Sequence, residues 1–146
     1  MNTATKKPTP IRHTLTFEVD VDADFVDYLT QYNDIFMTSR AGYWAFGHAL
    51  PKRDATVGAA HAGWLVFECL RSSSGMPSEK NIARALDCWK TGEALPKGWH
   101  LLDRDAAIRA WCEGVKRWGV EWYEEVDVDR EDTVVQLSLL GEVRYS

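Results

Sequence analysis

The chain has 146 residues, enough for one domain with a true core. Its apolar share of 45% and charged share of 27% are those of a globular protein, and a net charge of −5 argues against a general nucleic-acid or membrane-surface binder. No apolar run approaches the ~20 residues of a membrane span, and three cysteines without C-x-x-C spacing point to a reducing cytosol rather than a disulfide scaffold.

Residues 1–10 hold two lysines and two prolines but no apolar stretch, so they read as a polar arm and not as a secretory signal. A single globular domain is expected over residues 11–146. Within it, residues 11–19 alternate. Ile11, His13, Leu15, Phe17 and Val19 share one side, and Arg12, Thr14, Thr16 and Glu18 share the other, the pattern of a half-buried strand. Asp20 and Asp22 offer N-cap chemistry. Phe25, Leu29, Tyr32 and Phe36 then recur at helical spacing, predicting an amphipathic helix over 23–39.

A turn at Arg40-Ala41-Gly42 leads into Tyr43-Trp44-Ala45-Phe46-Gly47-His48, read as a short aromatic strand flanked by glycines. After a polar loop over 51–60, residues 63–70 (GWLVFECL) carry the strongest strand signal in the chain. Ser78 caps a helix whose buried stripe is Ile82, Leu86 and Trp89 or Cys88, and Gly92 closes it. Pro96-Lys97-Gly98 is a turn, and Trp99 and His100 are read as loop residues. Asp103 caps the longest element, expected over 104–125. There Ile108, Trp111, Val115, Trp118 and Trp122 step by three and four, which gives a helix about 33 Å long. A last helix is expected from Asp129 or Asp132 to Leu140, closed by Gly141. This order predicts an α+β domain: a small antiparallel sheet packed with three or four helices, one of them long and tryptophan-rich.

Seven tryptophans are the chain's main peculiarity. Trp111, Trp118 and Trp122 suit a core or an oligomer interface, and a homo-oligomer is expected. Trp44 and Trp99, beside glycines, are the candidates for facing a ligand. Around them Arg40, Tyr43, Trp44, His48, Arg53 and Trp99 form the candidate binding set. Flat rings would stack on a planar group, Arg40 and Arg53 (with Lys52 nearby) would meet phosphate, and His48 would donate a hydrogen bond. Packing of an aromatic strand explains the same residues without a ligand. His48, His61 and Glu68 could supply acid–base chemistry, though their spacing fixes no geometry. The histidine and cysteine spacing matches no metal signature, and no nucleotide-loop or nucleophile-elbow motif is present, so no cofactor or catalytic residue is assigned. Residues 124–132 hold six acids and offer an acidic surface.

Two segments, 34–45 and 129–145, resemble small proteins carried by bacteriophages and actinobacterial plasmids. In those a Tyr-Trp pair follows glycines and a terminal helix reads Asp-x-x-Val-x-Gln-x-x-x-x-Gly-Glu. Tyr43, Trp44, Asp132, Val135, Gln136, Gly141 and Glu142 carry the likeness, while Arg40-Ala41 replaces the glycines. The resemblance implies a mobile-element origin and no particular activity. In that setting, the residues suggest a non-enzymatic, cytoplasmic binder of a small anionic planar ligand, sequestering a nucleotide-derived signal to counter host defence. Two other readings stay open. One is an inhibitor of a host defence protein acting through the acidic surface. The other is a hydrolase of a nucleotide-like substrate.

Overall fold

A computed structural model describes residues 9–31, 41–51, 63–69, 75–124 and 128–146. Seven elements follow one another: α1 (Ala23–Gln31), β1 (Ala45–Ala49), β2 (Trp64–Glu68), α2 (Glu79–Thr91), β3 (Trp99–Leu102), α3 (Arg104–Trp118) and α4 (Val128–Leu140). The strands form one antiparallel sheet in the order β1-β2-β3. The class is α+β, as the sequence predicts.

Caps place the helices. The Asp22 carboxylate accepts from the backbone N–H groups of Asp24 and Phe25 at 2.9 and 3.3 Å. Ser78 accepts from Asn81 at 3.2 Å, and Asp103 accepts from Ala106 at 2.9 Å. Each bond satisfies a donor that the first helical turn leaves without a partner. Gly92 adopts the left-handed conformation (φ 76°) and closes α2, a conformation that costs a residue with a Cβ.

Strand alternation divides the buried residues between two sides of the sheet. Ala45, Val66 and Leu102 face α1, α3 and α4, within a core that includes Phe25, Leu29, Trp44, Trp111, Trp122 and Val135. Leu65 and Trp99 face α2, where they meet Ala85, Ile82, Leu86 and Trp89. Full burial of each Leu, Val or Phe stabilises the fold by about 1.5–3 kcal/mol.

Three expectations are overturned. The alternating segment 11–19 forms no strand among the described residues, and residues 9–18 are exposed. Its pattern is that of a strand, but no neighbour among the described residues supplies the backbone partners that a strand needs. Residues 99–102 are instead a strand, paired with β2, so Trp99 and His100 do not lie in a loop. The long helix stops at Trp118, seven residues short of the predicted end, because Gly119 (φ 91°) turns the chain while its N–H bonds Val115 at 2.9 Å. Trp122 returns over Gly114, where an added Cβ would overlap its indole ring. The helical spacing of the tryptophans therefore persists past the helix itself. Phe25, Trp111 and Trp122 close into one cluster with ring centroids 5.3–5.5 Å apart. Residues 32–39 of the predicted first helix lie outside the described residues.

Candidate functional site

Two of the residues expected to hold a ligand, Tyr43 and Trp44, belong to an internal clasp. Asp132 and Gln136 lie one helical turn apart on the same face of α4. The Asp132 carboxylate accepts from the Tyr43 hydroxyl, from Trp44 Nε1 at 2.8 Å and from Gln136 Nε2 at 3.1 Å. Gln136 is fully buried and treats the C-terminal segment as a neighbouring strand would. Its Nε2 donates to the Tyr145 carbonyl at 3.0 Å, and its Oε1 accepts from the N–H groups of Arg144 and Tyr145 at 2.9 and 3.0 Å. The Tyr145 ring lies parallel to Trp44, with centroids 5.6 Å apart and 6° between planes.

The same segment reaches Glu68 at the end of β2. Tyr145 donates its hydroxyl to Oε2 at 2.7 Å, and Arg144 Nη1 bonds the two carboxylate oxygens at 2.9 and 3.1 Å. His100 Nε2 lies 2.9 Å from Oε1. Burial pushes the Glu68 carboxyl up, but the bonds from Tyr145, His100 and Arg144 outweigh it and hold the group below its ordinary range. Burial, and then the bond to Asp132, push the Tyr43 hydroxyl well above the usual phenol range. Glu68 thus ties the C-terminal segment to the end of β2.

This arrangement places the described members of the expected site. Trp44 is wholly buried, covered by Tyr145 and bonded to Asp132, so its ring is not a platform for an incoming base. Trp99 is 6% exposed and packs on Phe67 at 5.0 Å, on the α2 side of the sheet. Tyr43 is committed to Asp132. His48 pairs with Leu65 and so lies on the α2 side, whereas Glu68 pairs with Ala45 on the other side. The His48–Glu68 acid–base pair is therefore not formed, and His100 takes its place beside Glu68. Arg40, Lys52, Arg53 and His61 lie outside the described residues. Sequence reasoning assigns no role to Asp132 or Gln136 beyond a helix, and none to His100, Arg144 and Tyr145, whose local pattern carries no signal.

The described acids of the stretch 124–132 do not make one surface. Glu131 is buried, Asp132 belongs to the clasp, and 125–127 lie outside the described residues. Glu124 instead joins Glu18, Asp20, Asp22 and Glu121 around a groove of about 700 Å³, whose apolar lining includes Trp111, Tyr123 and Val120. Trp111 Nε1 donates to the Asp20 carbonyl at 3.0 Å, which ties the segment before α1 to α3. Among the described residues, five acidic residues and no lysine or arginine line this groove, the Asp22 carboxylate also capping α1. Its field attracts cations and repels phosphate. Among the described residues, no group of three or more His, Cys, Asp or Glu side chains is placed to hold a metal, and no helix is long and apolar enough to cross a membrane.

Comparison with family models, with curated proteins and with solved structures returns no match.

Proposed function

We propose that this chain is a non-enzymatic binding protein whose acidic groove takes a cationic segment of a partner protein. One observation carries the reading: five acidic residues surround a groove lined by aromatic and valine side chains, with no basic residue among the described lining residues. A Lys- or Arg-bearing segment with apolar residues between its charges would satisfy both the acids and the rings, the latter also through cation–π contact. In the mobile-element setting that the resemblance implies, the partner would be a basic surface on a host defence protein. Sequestration of an anionic nucleotide draws less support, because Trp44 and Trp99 are packed inside and the groove repels phosphate.

The test is calorimetric titration with a 12-residue peptide alternating Lys and Leu, next to a panel of cyclic and ADP-ribose nucleotides. The expected result is binding of the peptide alone, weakening as salt rises. A Glu121→Lys/Glu124→Lys variant should lose it at least tenfold. Binding of a nucleotide without the peptide would overturn the proposal in favour of the small-ligand reading. Peptide affinity indifferent to the charge reversal would overturn the groove as the site.

A further inference from the structure

The arm ahead of α1 has the pattern of a strand but pairs with no strand among the described residues. Ile11, Leu15 and Phe17 are 94%, 68% and 76% exposed, a rare fate for three alternating large apolar residues. Val19, at the root of the same alternating face, packs against the helical core. The face is thus turned toward the protein body at one end and uncovered at the other.

The arm is also complementary to itself. Reversed about Leu15, the sequence Ile-Arg-His-Thr-Leu-Thr-Phe-Glu-Val sets Ile11 opposite Val19, Arg12 opposite Glu18, His13 opposite Phe17 and Thr14 opposite Thr16. Every apolar or aromatic-type position meets another, each threonine meets a threonine, and the one cation meets the one carboxylate. These are the cross-strand pairs that stabilise an antiparallel ladder, each by about 0.2–1 kcal/mol. No other register keeps both the Arg12–Glu18 and the Thr14–Thr16 pairs.

We propose that two copies of the chain associate through these arms as an antiparallel ribbon centred on Leu15, with its apolar face against the two bodies. The interface is isologous: Leu15 meets Leu15 on the two-fold axis, and each Arg12–Glu18 pair occurs twice. A two-stranded ribbon is marginal alone, and the apolar face that begins at Val19 supplies the cover it needs. The ribbon shares Glu18 with the acidic groove, but its test reads the register of the arms and does not depend on what the groove binds.

Cysteine substitution reads the register directly. Cβ atoms of directly opposed residues lie about 4.5–5.5 Å apart, within reach of a disulfide. The Leu15→Cys protein should therefore give a covalent dimer under mild oxidation, where the wild type and His13→Cys should not. In sedimentation, Arg12→Glu should dissociate the dimer and Arg12→Glu/Glu18→Arg should restore it, with thermal melting to verify the fold of each variant. A wild type that stays monomeric at its highest soluble concentration overturns the proposal. So does a dimer that survives Leu15→Asp, or a double variant that fails to recover.

Discussion

The two ends of this chain are both irregular, yet they differ in every physical respect. The segment 143–146 has no strand pattern and no regular structure, but Gln136, Glu68 and Trp44 hold it through its backbone, its charge and its ring. The arm at 9–18 has a full strand pattern and stands exposed. The difference teaches that partners, not patterns, order a segment. A fully buried amide can replace a whole neighbouring strand, while an ideal alternation without a partner orders nothing.

The comparison breaks most sharply at Trp44. Trp44→Ala removes both the ring under Tyr145 and a donor to Asp132, and should cost about 3–5 kcal/mol in denaturant unfolding. Gln136→Ala leaves tail backbone groups without partners and should cost about 1–3 kcal/mol. The signature to seek is faster hydrogen exchange at Arg144 and Tyr145, with the α2 side of the sheet unchanged.

A smaller effect follows from pH. The Glu68 carboxyl is lowered from its ordinary 4.5, so its contribution is fully present above that value and is lost as pH falls through its lower folded value. The C-terminal segment should become susceptible to carboxypeptidase-type cleavage in that acid range before the core melts. Glu68→Gln should loosen the segment at neutral pH and remove this pH dependence. Cleavage with the same acid profile in Glu68→Gln would show that another group controls the release.

Smallest of all is the expected effect at the arm. Phe17→Ser should leave the unfolding free energy of a monomeric sample within about 0.5 kcal/mol, since Phe17 buries little within one copy. A large loss would mean that the arm packs on its own body.

Much of the fold is legible in local signals. Ser78 and Gly92 bracket α2, Asp103 starts α3, and the apolar run after Gly63 is β2. β3 escapes because four residues, Trp-His-Leu-Leu, display no alternation of residue type, and only pairing with β2 makes them a strand. The end of α3 escapes because Trp122 keeps helical spacing after Gly119 has turned the chain. The clasp is half legible. Tyr43-Trp44 and the helix bearing Asp132 and Gln136 are each legible locally, but the Trp44–Asp132 bond spans 88 positions, and no local pattern reports a contact at that distance. The groove escapes because its acids come from two stretches about a hundred positions apart, Glu18 to Asp22 and Glu121 to Glu124.

Hydrogen–deuterium exchange on the wild type and Leu15→Asp, with both ends followed in one experiment, tests the contrast most directly. The C-terminal amides of Arg144 and Tyr145 should be protected in both proteins, because their partners lie within the same copy. The arm amides from Arg12 to Glu18 should be protected in the wild type and exchange freely in Leu15→Asp. Arm amides that stay protected in Leu15→Asp, or tail amides that exchange freely in the wild type, would contradict the account.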